Sequence, residues 1–141
     1  MSMENSTITL EIIIKAPINT VWNCFTIPDH ITKWNHSSTD WHSPYAHNDL
    51  SIGGKFLYRM EEKNGEIGFD FSGTYVDIKL HEQISYILDD ERKVDIFFHN
   101  HGNETKVIQT FEMENVYPRE MQEEGWYSIL QNFKDYVESI E

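Results

Sequence analysis

Apolar and polar residues alternate along most of this chain, and the period lengthens only near its end. Thr7–Lys15 reads TITLEIIIK, a β-branched run that predicts a strand. Ala16-Pro17 ends it, and Pro17 suits the first position of a helix, where its missing N–H costs nothing. That helix is expected to be short, with Val21, Trp22 and Phe25 on its buried side. Pro28 opens another helical turn or two, ending near Trp34. From Asn35 to Asp49 the pattern turns polar, with Trp41 and Tyr45 embedded. A short strand near Asp40–Ser43 and then a loop are expected.

Gly53-Gly54 marks a turn, and hairpin strands follow. Lys55–Glu62 and Ile67–Lys79 flank Asn64-Gly65, a dipeptide suited to a type I′ hairpin turn. Phe56, Tyr58 and Met60 share one strand face; Ile67, Phe69, Phe71, Gly73 and Tyr75 share another. Gln83–Leu88 alternates Ile84, Tyr86 and Leu88. Asp89-Asp90-Glu91 makes a turn, and Lys93–His99 and Thr105–Met113 pair across His101-Gly102-Asn103. From Tyr117-Pro118 to Glu141 the apolar residues Trp126, Ile129, Leu130, Phe133, Val137 and Ile140 recur at helical spacing. A helix of ~23 residues spans roughly 35 Å, enough to cross a sheet. The order is strand, two helices, six strands, long helix. An antiparallel sheet with helices on one side is α+β, here one domain over residues 1–141 with residues 1–6 as a flexible tail.

Composition narrows the function classes. Eleven Lys and Arg against 24 Asp and Glu give a net charge of −13, which repels nucleic acid and anionic membranes. Cys24 is the single cysteine, so neither an intramolecular disulfide nor a thiolate metal cluster is expected. The polar start lacks a basic region followed by an apolar stretch, and no apolar run approaches the ~18 residues of a membrane span. The expectation is a cytoplasmic protein without signal peptide.

Candidate chemistry changes the picture little. The chain has seven histidines, and His99 and His101 could share a strand face. They flank a predicted hairpin turn, however, and no His-x-x-x-His or Glu-x-x-His motif occurs, so no metal site is expected. Cys24 lies beside Val21 and Phe25 on a short helix and reads as a small core residue rather than a nucleophile. Gly53-Gly54 is followed by a strand and by no Gly-Lys-Ser/Thr, so it is a turn and not a phosphate loop. Gly125 is expected to let the long helix approach the sheet closely, and such close approach or a kink offsets the ~0.8–1 kcal/mol cost of a mid-helix glycine. Tyr58, Asp70, Tyr75 and His99 are the acid–base candidates. If Phe69 and Phe71 point inward, Asp70 points to water. Nothing places a nucleophile, a base and an orienting group together, so no catalytic residue is assigned and binding is favoured over catalysis.

Several of these residues, in order, resemble one family. Ala16-Pro17 with Val21-Trp22 and Phe25, then Pro28, Trp34, Gly53-Gly54 and Phe56, are followed by Gly73 before Tyr75. Glu82, Ile84 and Tyr86 come next, then Thr105, Val107, Phe111, Gly125-Trp126 and Leu130. Together they resemble the START-like, or SRPBCC, superfamily, within it the group related to the activator of heat-shock-protein 90 ATPase. The resemblance implies a helix-grip fold, a curved seven-stranded antiparallel sheet around the C-terminal helix, with two short helices after the first strand. It also implies a cavity between sheet and helix, where relatives hold lipids, polyketides or aromatic molecules. Eukaryotic co-chaperones of the group carry an additional N-terminal domain, for which 141 residues leave no room.

The aromatic faces and the resemblance together predict a ligand-lining set: Trp34, Trp41, Phe56, Tyr58, Phe69, Phe71, Tyr75, Trp126, Ile129 and Phe133. Such pockets are mostly apolar, with a few polar groups that orient the ligand. The expected partner is a small hydrophobic molecule, with no cofactor. A cyclase or hydrolase acting on such a ligand, and a reduced chaperone cofactor, are the alternatives.

Overall fold

The computed structural model describes residues 6–36 and 39–140. The chain runs β1 (Thr7–Ile14), α1 (Ile18–Thr26), α2 (Pro28–Trp34), β2 (Trp41–His42), β3 (Ala46–Asn48), β4 (Lys55–Glu62), β5 (Gly68–Lys79), β6 (Gln83–Leu88), β7 (Lys93–Asn100), β8 (Thr105–Glu112) and α3 (Arg119–Ile140). All strands join one antiparallel sheet in the order β1-β8-β7-β6-β5-β4-β2, with β3 also paired to β4. No helix among the described residues is long and apolar enough to cross a membrane.

Alternation builds the inner face. Every second residue of β1 (Ile8, Leu10, Ile12, Ile14) is buried, as are Thr105, Val107, Gln109 and Phe111 of β8 and Val94, Ile96 and Phe98 of β7. At Val76 the register between β5 and β6 shifts by one residue. This bulge lets Tyr75 and Ile78 both pack toward the core instead of falling on opposite faces.

The helix α3 lies against this face, held most tightly at its C-terminal half. Phe133 and Val137 are fully buried. Lys134 Nζ donates to the Ile13 carbonyl at 2.9 Å, and the Lys15 N–H donates to Glu138 Oε2 at 2.9 Å. At the other end Gln122 holds the preceding loop: its amide donates to the Tyr117 carbonyl at 2.8 Å and its carbonyl accepts the Glu114 N–H at 3.0 Å.

The helix-grip reading holds, with local differences. The described residues form eight strands rather than seven, because Ala46–Asn48, expected as loop, pairs with Phe56–Tyr58. Three residues without alternation carry no strand signal, and tertiary hydrogen bonds fix them instead: Asn48 Nδ2 donates to the Thr26 carbonyl at 2.7 Å. Ile140 is 48% exposed, so the apolar face of α3 ends at Val137. Of the expected N-terminal tail, residues 1–5 lie outside the described residues. Ser6 is tied down, its carbonyl accepting the Met113 N–H at 2.8 Å.

Candidate ligand-binding site

The N-terminal half of α3 stands off the sheet where the C-terminal half touches it, and a cavity of about 430 Å³ lies between them. That volume is within the range of small-molecule sites, roughly 300–1,000 Å³. Gly125 is part of the reason. A Cβ built there would meet nothing within 4 Å, so the glycine fronts open space. The expected close approach of the helix backbone to the sheet does not occur at this residue. Close approach belongs to Gly73, whose Cβ would lie 2.6 Å from the Ile87 carbonyl oxygen and 3.1 Å from the Phe56 ring.

Nine of the ten residues expected to line a ligand site are on the cavity wall: Trp34, Trp41, Tyr58, Phe69, Phe71, Tyr75, Trp126, Ile129 and Phe133. Phe56 is not on the wall. It sits behind it, its ring centroid 4.7–5.8 Å from those of Tyr58, Phe71, Tyr75 and Tyr86, where the missing side chain of Gly73 leaves room for it. Met60, Ile84, Tyr86 and Leu130 also line the cavity, and their place on already predicted apolar faces could have found them. The polar lining residues Asn35, Arg92, Gln109, Glu114 and Gln122 are different. Of these only Gln109, between the inward Val107 and Phe111, had a signal in strand alternation.

One end is plugged. The Phe25 and Trp34 rings stack at 5.4 Å, and Phe133 packs edge-on against both, at 5.3 and 4.8 Å. Trp34 is fixed in this plug by an N–H bond from its indole to the Cys24 carbonyl at 2.8 Å. The side wall is Trp126, stacked on Phe111 with centroids 4.0 Å apart and planes 9° from parallel. Such a pair adds about 0.5–1.5 kcal/mol beyond its area burial, which favours this placement of the Trp126 ring. At the opposite end Phe69, Tyr117 and Met121 line the cavity while remaining 46–56% exposed, and they form an apolar mouth.

The polar groups fall into two sets. In the first, the Tyr75 hydroxyl donates to Asn48 Oδ1 at 2.5 Å, and Asn48 in turn donates to the Thr26 carbonyl. Burial raises the pKa of Tyr75 to about 12. Burial, and then the neighbouring Tyr75, pushes Tyr58 well above the ordinary tyrosine value, and burial pushes Tyr86 up as well. These hydroxyls stay protonated at neutral pH.

The second set is incompletely satisfied. Asn35 is 5% exposed and its Nδ2 is buried without a hydrogen-bond partner; Glu114 Oε1 is likewise buried and unpartnered. Glu114 Oε2 lies 3.9 Å from Arg92 Nη1, and Arg92 Nε donates to Asp90 Oδ2 at 2.8 Å.

The remaining chemical candidates lie outside this site. Asp70 points to water and pairs with Arg59 at 3.2 Å, as strand alternation requires. His99 is exposed near the end of β7. Cys24 is buried in the core cluster. Among the described residues no three His, Cys, Asp or Glu side chains gather as metal ligands would.

A family model described as Activator of Hsp90 ATPase homolog 1-like protein matches residues 15–138. Among solved structures, the AHSA1-like protein of Aeromonas hydrophila is 38% identical with a TM-score of 0.91, covering 96% of this chain and 94% of its own. A protein of Cytophaga hutchinsonii is 42% identical with a TM-score of 0.81, covering 94% and 92%. A protein of Nitrosomonas europaea shares the fold at 18% identity, with a TM-score of 0.81 and 96% of each chain covered. Comparison with curated proteins gives no match.

Proposed function

The chain belongs to the Activator of Hsp90 ATPase homolog 1-like family, and from that premise we propose that it binds a small hydrophobic molecule in the cavity between sheet and helix. The observation that carries this reading is the open space in front of Gly125, walled by Trp126, Phe71 and Tyr58 and plugged by Phe25, Trp34 and Phe133. A packed interior closes such gaps, because unfilled volume forfeits dispersion contacts. Burying apolar ligand surface there contributes about 25 cal/mol per Å², and the packed aromatic walls discriminate by shape. The tyrosine hydroxyls are held protonated by burial and are poor proton acceptors, which fits binding better than proton abstraction.

The test uses biphenyl as an apolar probe on the full chain. Its titration shifts the Trp126 indole and Phe133 resonances and raises Tm, and Gly125→Leu, which fills the space, weakens binding at least tenfold while the fold persists. Absence of any response at Trp126 and Phe133, or unchanged affinity in Gly125→Leu, refutes the reading.

A further inference from the structure

The two unpartnered polar atoms lie on opposite ends of one cavity. Buried donors and acceptors without partners are rare, and each calls for a specific explanation. Asn35 follows the plug residue Trp34. Its other neighbour, His36, is bonded through its carbonyl to Asn132 Nδ2 at 2.5 Å, which fixes this end beside the fourth turn of α3. Glu114 is hydrogen-bonded to Gln122 in the first turn. Ten residues of helix separate Gln122 from Asn132, or ~15 Å at 1.5 Å per residue. The rest of the lining is aromatic and aliphatic, apart from Arg92, Gln109, Gln122 and the tyrosine hydroxyls.

The ends differ in chemistry. Asn35 Nδ2 is a neutral donor and needs an acceptor. Glu114 Oε1 is a carboxylate oxygen and needs a donor. The outer end is also net negative: Arg92 is flanked by both Asp90 and Glu114, on a chain of net charge −13. A ligand carboxylate placed there would meet one cation already shared between two anions, and like charge at close range is how a site rejects a wrong partner.

Resting on the reading that the cavity binds an apolar molecule, we infer that its ligand is elongated and uncharged, with a hydrogen-bond acceptor for Asn35 at the inner end and a hydroxyl-type donor for Glu114 at the outer end. Carboxylates of the same shape are excluded.

Calorimetric titration of the full chain with four matched probes tests this: 4′-methoxybiphenyl-4-ol, biphenyl-4-ol, 4-methoxybiphenyl and 4′-methoxybiphenyl-4-carboxylate. In the wild type 4′-methoxybiphenyl-4-ol should bind at least threefold more tightly than biphenyl-4-ol, at least fivefold more tightly than 4-methoxybiphenyl and at least tenfold more tightly than the carboxylate. Glu114→Gln should narrow the gap between 4′-methoxybiphenyl-4-ol and the carboxylate at least threefold. Asn35→Leu should abolish the advantage of 4′-methoxybiphenyl-4-ol over biphenyl-4-ol. The wild-type series needs no variant, so a misfolded Asn35→Leu leaves the test intact. If 4′-methoxybiphenyl-4-ol binds within twofold of biphenyl-4-ol, of 4-methoxybiphenyl or of the carboxylate, or the carboxylate binds tightest, the polarity inference is overturned while apolar binding stands. If none binds, the binding reading fails and this inference with it.

Discussion

The two halves of α3 do different work in one continuous helix. Its C-terminal half presents Phe133 and Val137, both fully buried, and is bonded through Lys134 to Ile13 of β1 and through Glu138 to Lys15 just beyond it. Its N-terminal half presents Met121, half exposed at the cavity mouth, and Gly125, with open space before it. The C-terminal half is packed protein, with Phe133 closing the inner end of the cavity. The N-terminal half carries the same kind of apolar pattern over a gap. An apolar helical face therefore says that something is covered, and only the facing strands decide whether that is protein or empty volume.

The largest test of this difference compares truncations in the two halves. Phe133→Ala removes a fully buried ring from the plug, and a buried Phe→Ala change costs about 3–5 kcal/mol. Met121→Ala at the mouth removes a half-exposed side chain and should stay within about 0.5 kcal/mol, as surface changes usually do. Urea unfolding of both variants checks the pair. Similar losses at the two positions would mean that the N-terminal half is packed after all.

A second test asks whether the hollow half is dry. In the unfolded chain a tyrosine ionises near pH 10, whereas burial holds Tyr75 protonated to about 12. Between those values the unfolded state binds fewer protons than the native one, so stability falls as pH rises. Below pH 10 both states keep the proton and the effect is absent. Tyr75 alone removes roughly 2 kcal/mol by pH 12, at about 1.36 kcal/mol for each pH unit between the two ionisations. Tyr58 and Tyr86 act in the same direction. Denaturant midpoints at pH 9 and 11 should therefore diverge, and Tyr75→Phe should reduce the divergence. Equal midpoints in the wild type would mean water reaches these rings and that the cavity is a wet cleft.

Much of this architecture was legible in the residues. The β-branched and aromatic alternation marked the long strands, and Asn64-Gly65 marked the hairpin between β4 and β5. What was not legible was where contact stops. Gly125 was expected to sit tight against the sheet, but glycine marks both close approach and absent volume. Only a neighbour's position separates those cases: at Gly73 a Cβ would strike the Ile87 carbonyl, and at Gly125 it strikes nothing. Phe56 had the same strand signal as Tyr58, yet packs behind the wall. The polar ends were less legible still. Asn35 falls just after a short helix and Glu114 just after a strand, places where polar residues are ordinarily solvated, so no local pattern marks Asn35 as buried or Glu114 as holding one oxygen away from water.

The smallest expected effect bears most directly on that ambiguity of glycine. Gly125→Ala adds a methyl group to a mid-helix position with free space around it. Its backbone lies within regular helix, so alanine lowers the entropy of the unfolded chain without strain in the native one. The change should stabilise the protein by about 0.8–1 kcal/mol, the propensity difference between the two residues. The added methyl occupies only a small part of the cavity, so biphenyl affinity should change by less than about threefold, whereas Gly125→Leu abolishes most of it. Thermal unfolding of the alanine variant, read beside the leucine variant's affinity, separates two explanations for the glycine. A loss of stability in Gly125→Ala would place the helix backbone against the sheet, erase the contrast between the halves of α3, and leave the cavity without its opening.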